Sequence, residues 1–140
     1  MPYHRTVPVE FNHCDPAGIV FYPRYLEFAN HMAENFFAEV LGRSYARIIA
    51  DGDGVPTVRL ECAFRQPSRL GDRLDMTLRV AGVGRSSLDF DISGRGPGEA
   101  APRFTVAKRL VFIDGQAMKS APWPEELRAR LQAAMAEDAA

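Results

Sequence analysis

The segment 12–18 (Asn-His-Cys-Asp-Pro-Ala-Gly) combines residue types that can perform acyl transfer. Asp15 precedes Pro16, which disfavours a helical backbone at the residue before it and keeps Asp15 extended. Gly18 permits a sharp turn or the close approach of a ligand to the backbone. A carboxylate held in such a loop can attack a carbonyl carbon or take a proton from water.

A long helix is predicted directly after this segment. Pro23 suits the first helical position, because its missing N–H would have no intrahelical partner there. Apolar residues then recur every three to four positions as far as Leu41, and Gly42 is a typical stop. Tyr22 therefore lies at or beside the N-cap, where unpaired N–H groups and the helix dipole attract negative charge. This helix start could hold the oxygen that becomes negative during acyl transfer.

Ordinary turn chemistry also explains this arrangement. Aspartate before proline commonly begins a turn, and an aspartate near a helix start commonly caps the helix. On spacing alone, the structural interpretation is the commoner of the two. His13 could tune the charge of Asp15 or touch the substrate, or it could be a loop histidine at the mouth of a pocket. Cys14 is predicted to point away from Asp15 into the core, since neighbouring side chains of an extended backbone face opposite sides.

Alternation of apolar and polar residues predicts five strands around this helix. The first strand has Tyr3, Val7 and Phe11 on one face, and Pro8 places it at an edge or an end of the sheet. Four strands after the helix are predicted near residues 58–65, 73–80, 88–93 and 104–113. The last of them is apolar on both faces in places, which predicts a more buried strand.

The order of these elements predicts an α+β fold. One-sided alternation favours an antiparallel sheet, and the four later strands are expected to form a meander. A short amphipathic helix is predicted at 124–135, from Leu127, Leu131 and Met135.

Composition and charge restrict the class of protein. With 140 residues, a net charge of -1 and no basic run, the chain is predicted to be one domain that binds neither nucleic acid nor an anionic membrane. The alternating N-terminus is not expected to act as a signal peptide, and no apolar run has the length of a membrane span. Cys14 and Cys62 lack metal-ligand spacing, and His31 with Glu34 lacks a further ligand, so no metal site is predicted. Free thiols favour a cytoplasmic location.

The run from Cys14 to Tyr25 closely resembles the signature of the 4-hydroxybenzoyl-CoA thioesterase family, D-x-x-G-[IV]-V-[FWY]-x-x-x-Y. The resemblance continues at Gly54-Val55-Pro56 and Cys62-Ala63-Phe64, and more weakly at 84–87. It spans about residues 7–113 and implies a hotdog fold: a curled sheet of about five strands around one long central helix, in a single domain over residues 1–140.

The resemblance also implies an activity and its residues. The expected enzyme is a thioesterase that hydrolyses an aromatic or aliphatic acyl-CoA to free acid and CoA, without a cofactor. The family's catalytic aspartate falls on Asp15, and its oxyanion contact, a backbone N–H, falls on Tyr22. Arg85, with Ser86 beside it, falls on the position that holds the CoA phosphates; Gly18 and His13 are expected to contact substrate. A homodimer or homotetramer is expected, with the pocket at the subunit boundary.

Two other functions stay open from the sequence. A 2-enoyl-thioester hydratase or dehydratase of the same fold would use a helix histidine with an acidic partner, here His31 with Glu27 or Glu34. A non-catalytic acyl-CoA-binding module would keep the fold without turnover. Six arginines against three acids in residues 59–85 suit a phosphorylated ligand, but strand alternation explains this stripe equally well as a solvated face.

Overall fold

This computed structural model describes residues 1–139, which contain three α-helices and eight strands joined by loops. The helices are α1 (Arg24–Glu39), α2 (Tyr45–Ala50) and α3 (Glu125–Ala139), and a 3-10 helix covers Phe11–His13. The strands are β1 (Tyr3–Pro8), β2 (Asp53–Gly54), β3 (Thr57–Phe64), β4 (Arg73–Val83), β5 (Ser87–Arg95), β6 (Phe104–Val111), β7 (Ile113–Asp114) and β8 (Lys119–Ser120).

The main sheet has five antiparallel strands in the order β1-β4-β5-β6-β3, and β2, β7 and β8 form a small second sheet. The predicted meander is therefore wrong for β3, which pairs with β6 and not with β4. The connection 65–72 is too long for a tight hairpin. Arg65 and Gln66 at its start donate their N–H groups to the carbonyl of Arg103, which turns the chain away from β4.

The core lies between α1, α3 and one face of the sheet. The alternation predicted for β4 and β5 is confirmed: Leu74, Met76, Leu78 and Val80, then Leu88, Phe90 and Ile92, are buried. β1 is an edge strand that ends at Pro8, as predicted. Phe11, however, is 83% exposed and begins the 3-10 helix, because the chain turns after Glu10 instead of extending the strand.

The helices differ from the predictions in two respects. α1 begins directly after Pro23 and ends three residues before Gly42, which has φ +69°. The predicted position of this helix is therefore confirmed. The C-terminal helix is not short: α3 has 15 residues against 16 in α1, and it continues beyond Met135. Helix α2 was not predicted; Ser44 caps it by accepting the N–H of Arg47 at 3.1 Å.

Strands β3 and β6 both depart from their predicted burial. β6 buries only alternate residues, so it is one-sided, and one inward position is Lys108, which is only 7% exposed. β3 is exposed on both faces, with Leu60 at 40% and Phe64 at 49%. β3 is an edge strand, and its apolar face is largely exposed among residues 1–139, apart from the contacts of Phe64 with Tyr22 and Tyr25.

Cys14 and Cys62 are free thiols, and Cys14 packs partly buried against the core, the side predicted for it. Across the described residues, no helix combines the length and apolarity that a membrane span requires. Nor do any three His, Cys, Asp or Glu side chains of this region gather closely enough to hold a metal ion.

Candidate active site

Asp15 begins a tight turn that ends at Gly18. The N–H of Gly18 donates to the carbonyl of Asp15 at 3.0 Å, and Gly18 takes φ +78°, a backbone that favours glycine. The side chain of Asp15 accepts the N–H of Ala17 through Oδ1 at 2.9 Å. Its other oxygen, Oδ2, accepts from no donor in the described residues. The predicted turn chemistry is therefore present, and it leaves one carboxylate oxygen open.

The turn closes a small hairpin. Cys14 pairs with Val20 across it, and the N–H of Asp15 donates to the carbonyl of Ile19 at 3.0 Å. Phe21 then donates to the carbonyl of His13 at 2.9 Å. Tyr22 follows the second arm of this hairpin directly, so the hairpin connects the Asp15 carboxylate to the start of α1.

The segment 68–72 supports the hairpin from its outer side. Val20 donates to the carbonyl of Ser68 at 2.9 Å, and Leu70 donates to the carbonyl of Gly18 at 3.0 Å. The hairpin's second arm is thus paired on both sides, like a strand inside a sheet.

Tyr22 supplies the N–H that the helix start leaves open. Arg24, Tyr25 and Leu26 donate to carbonyls three residues earlier, at 2.8–3.2 Å, and Pro23 has no N–H. For the N–H of Tyr22, residues 1–139 provide no acceptor. Tyr22 as a whole is 63% exposed, so solvent reaches the residue at this end of the hairpin.

The side chain of His13 contacts the 3-10 helix and α1, and it makes no hydrogen bond to Asp15 within residues 1–139. Its Nδ1 accepts the N–H of Glu10 at 2.9 Å, so the neutral ring carries its proton on Nε2. The ring packs edge-on against Phe28, with centroids 4.8 Å apart. His13 lines a cleft of about 400 Å³ with Arg5 and His31.

Arg85 and Ser86 lie at the other end of the sheet. They form the turn after β4, whereas Asp15 is held near its beginning. β4 has eleven residues, and the ten steps between its ends measure about 33 Å along the strand at ~3.3 Å per step. The turn is firm, because Trp123 donates its N–H to the carbonyl of Arg85 at 3.0 Å and Phe112 donates to that of Ser86 at 2.8 Å. One chain does not bring Arg85 and Asp15 together.

His31 does not have the acidic partner that a hydratase would need. Arg5 donates from Nε to His31 Nε2 at 3.1 Å, and Arg5 forms an ion pair with Glu39. Burial, together with the positive charge of Arg5, lowers the pKa of His31. No hydrogen bond joins His31 to Glu27 or Glu34 in the part of the chain described, and His31 is half-buried.

An aromatic cluster beside the hairpin was missed in the sequence. Tyr22 contacts both Phe21 and Phe64 edge-on, and Tyr25 lies 5.5 Å from Phe64 and 4.5 Å from Phe104 between ring centroids. Phe21 and Phe64 are about half exposed. Phe64 lies on β3, which is distant from the hairpin in sequence. Its contacts with Tyr22 and Tyr25 could therefore not be predicted without the strand order.

Residues 9–131 match the model of the thioesterase-like superfamily. A 1,4-dihydroxy-2-naphthoyl-CoA hydrolase from Synechococcus elongatus is 27% identical over 126 residues, 89% of this chain and 90% of that protein. A solved 1,4-dihydroxy-2-naphthoyl-CoA thioesterase from Synechocystis has a TM-score of 0.87 at 21% identity, covering 94% of this chain and 96% of that one. A gentisyl-coenzyme A thioesterase has a TM-score of 0.81 at 23% identity, covering 90% and 99%.

These similarities establish the class of protein. The α+β architecture, with its antiparallel sheet and C-terminal helix, matches that of hotdog thioesterases, and the chain is a thioester hydrolase. It belongs to the thioesterase-like superfamily.

Proposed function

We propose that the chain hydrolyses an acyl-CoA to a free acid and CoA, with Asp15 as nucleophile or general base and the Tyr22 N–H as oxyanion donor. The Asp15 turn carries this proposal: the N–H of Ala17 holds one carboxylate oxygen and leaves the other open. The N–H of Tyr22, which has no acceptor within residues 1–139, comes directly after the second arm of the same hairpin. The CoA thioesters named for the relatives support the substrate class.

Two routes give the same products. As a nucleophile, an oxygen of Asp15 bonds to the carbonyl carbon and the C–S bond breaks, so that CoA leaves as thiolate; water then hydrolyses the mixed anhydride and restores the carboxylate. As a base, Asp15 takes a proton from water, the hydroxide adds to the carbonyl carbon, and the proton passes to the departing thiolate. In both routes the carbonyl oxygen becomes negative, and the Tyr22 N–H with the α1 dipole stabilises it.

Asp15→Asn tests the proposal, with Asp114→Asn as its matched control. Asp114 also begins a turn through its side chain, accepting the N–H of Gln116 at 2.9 Å, but it lies in the small second sheet. Thiol release from a panel of acyl-CoAs is expected to fall at least ~10²-fold in kcat for Asp15→Asn and to be unchanged for Asp114→Asn. Near-normal turnover by Asp15→Asn would refute the assignment. CoA-ester binding without release by the wild type would favour a binding module.

Tyr22→Phe separates the backbone role of Tyr22 from that of its phenol. Because the proposed donor is the main-chain N–H, this variant should lose less than about 3-fold in kcat, well below the loss for Asp15→Asn. A comparable loss in both variants would show that the phenol takes part directly.

We also propose that the acyl group is aromatic, which would place the chain near the 4-hydroxybenzoyl-CoA thioesterases. The exposed rings of Phe21, Tyr22 and Phe64 lie beside the Asp15 hairpin, and aromatic groups pack favourably edge-on against such rings. Aryl-CoA substrates are also named for the relatives. A higher kcat/KM for benzoyl- and hydroxybenzoyl-CoA than for octanoyl-CoA is expected; the reverse order would exclude this specificity.

A second copy of the chain is proposed to complete the site, in a homodimer or homotetramer. The largely exposed apolar face and free edge of β3 suit pairing with another strand. Arg85 and Ser86 are too far from Asp15 in one chain, so the CoA phosphates would meet these residues from the partner. Leu60→Asp should therefore lower both the mass in light scattering and the activity. Thr6→Asp, on the opposite edge strand β1, should change neither; a monomeric, active wild type would contradict the proposal.

The remaining features are proposed on the same basis. Residues 1–140 form a single hotdog domain with α1 as the central helix, supported by the seven buried residues of α1 in one shared core. The reaction needs water and no cofactor. Two free thiols support a cytoplasmic location.

A further inference from the structure

A largely buried arginine holds the outer support of the Asp15 hairpin. Arg103 immediately precedes β6, and its side chain is only 12% exposed. Its Nε and Nη2 donate to the two carboxylate oxygens of Glu99, at 2.9 and 2.8 Å. Its Nη1 donates to Asp72 at 2.8 Å and to the hydroxyl of Ser68 at 3.3 Å. One guanidinium therefore joins three side chains from two loops.

Two of these three side chains belong to the segment that pairs with the hairpin. Ser68 is fully buried, and its carbonyl accepts the N–H of Val20. Asp72 closes the turn of the same segment by accepting the N–H of Arg69 at 2.9 Å. Arg103 thus fixes both ends of segment 68–72, which in turn holds Gly18 and Val20.

We propose that Arg103 is a positioning residue for catalysis, aligning the Asp15 carboxylate through Ser68, Asp72 and segment 68–72. Arg103 does not touch the substrate; it acts through the hairpin, and this role rests on the proposed function of Asp15. An arginine is required because its planar fork makes four hydrogen bonds at once, two of them to the same carboxylate of Glu99. The ammonium of lysine has only three donors, all on one nitrogen.

The charges of the cluster persist over the whole range of a thiol-release assay. The hydrogen bonds from Arg103 and from the N–H of Gly96 lower the pKa of Glu99 to about 2. The N–H of Arg69 and the guanidinium of Arg103 hold the pKa of Asp72 below its usual value. The support is therefore intact near pH 7.

Arg103→Lys tests the proposal, with Arg109→Lys as the matched control. Arg109 also forms a two-pronged pair, with Asp89 at 2.7 and 3.0 Å, but it lies on β6 away from the hairpin. We expect Arg103→Lys to lower kcat about 10-fold with KM changed less than 2-fold, as outer-shell partners of catalytic groups commonly do. Arg109→Lys should keep wild-type kcat. Unchanged turnover by Arg103→Lys, or an equal loss in both variants, would overturn the inference.

Amide hydrogen exchange supplies a readout independent of activity. In Arg103→Lys, peptides covering 14–21 and 66–72 should exchange at least about 5-fold faster, while peptides of β4 and β5 keep wild-type rates. Faster exchange throughout the chain, or no change in 14–21, would refute positioning. If Arg103→Lys does not fold, Asp72→Asn can replace it, since this variant removes one charged acceptor of Arg103. The same peptides should then exchange faster than in the wild type, by a smaller factor.

The outcomes also separate this inference from the function it rests on. If Asp15→Asn keeps its activity, the proposed function fails whatever Arg103→Lys does. If Asp15→Asn is inactive while Arg103→Lys turns over normally, only the positioning role fails. In a double variant, Arg103→Lys should add no further loss to Asp15→Asn, since both act through one carboxylate; additive losses would refute the linkage.

Discussion

Replacing Gly18 with alanine perturbs the backbone of the Asp15 turn alone. A Cβ built on Gly18 meets no atom within 4 Å, so the substitution causes no clash. The residue has φ +78°, and a left-handed backbone costs a non-glycine residue about 1–2 kcal/mol. We therefore expect the free energy of unfolding to fall by about 1 kcal/mol, which corresponds to about 4 °C in Tm for a chain of this size.

The effect on catalysis should exceed the effect on stability. An alanine relieves its strain by rotating toward negative φ, which weakens the hydrogen bonds from Gly18 to Asp15 and from Leu70 to Gly18. The open oxygen of Asp15 then moves relative to the start of α1, and a shift of about 1 Å can cost 10²-fold in rate. We expect kcat to fall at least about 10-fold in thiol-release assays at 25 °C.

Gly52→Ala is the control for this variant. Gly52 has φ +84°, and an added Cβ also meets nothing within 4 Å, but it lies between α2 and β2, away from the hairpin. Urea unfolding at one fixed protein concentration should show the same loss of about 1 kcal/mol for both variants, with wild-type kcat for Gly52→Ala. An equal loss of kcat in both, or an active Gly18→Ala of wild-type stability, would refute the reasoning.

Three further predictions concern stability. Leu78→Ala, at a fully buried position, should cost about 2–5 kcal/mol in urea unfolding, whereas exposed Ile49→Ala should cost under about 0.5 kcal/mol; equal costs would contradict the core assignment. The pKa of Glu99 is lowered, so its stabilisation is complete above about pH 4.5 and is lost as the pH falls toward about 2. Glu99→Gln should therefore be less stable than wild type at pH 6, with a difference that shrinks toward pH 2; a constant difference in Tm would contradict this. Burial lowers the pKa of Lys108, which has no hydrogen-bond or ion-pair partner among residues 1–139. Lys108→Met should therefore raise the free energy of unfolding by about 1 kcal/mol near pH 7. This gain should diminish as the pH rises through the lowered pKa of Lys108 and should vanish above 10.5, where the wild-type lysine becomes neutral in both states; an equal gain at pH 7 and pH 10 would exclude charge burial as its cause.

Local patterns predicted the elements that depend on local contacts. β4 and β5 alternate because one face of each packs on the core, and that alternation is visible in the sequence. α1 could be placed because Pro23 and Gly42 mark its ends through their own backbone preferences. The Asp15 turn is also local, since the two hydrogen bonds that close it come from the N–H groups of Ala17 and Gly18.

Features that depend on distant residues were not predictable in this way. The pairing of β3 with β6 is decided by the connection after β3 and not by the pattern within it. Arg103 gathers Ser68, Asp72 and Glu99, whose spacing in the sequence has no period. Lys108 lies at an inward-facing position of β6, where alternation predicts an apolar side chain. Its burial was therefore not predictable from the strand pattern. The carboxylate of the candidate site was therefore visible in the sequence, but its supporting shell was not.

The strand order also affects how the chain is made. β1 pairs with β4, and β3 pairs with β6. Tyr3 therefore cannot pair until Leu78 has left the ribosome, and Phe64 cannot pair until Phe104 has left it. At roughly 5–20 residues per second, about 70 residues from the end of α1 to the end of β6 take on the order of 4–14 s to synthesise. During these seconds the Asp15 hairpin can form, but Arg103 is not yet there to support it, and the apolar face of α1 lacks most of its sheet. We therefore expect nascent chains that end before Arg103 to bind chaperones. The chaperones should dissociate once β6 has left the ribosome.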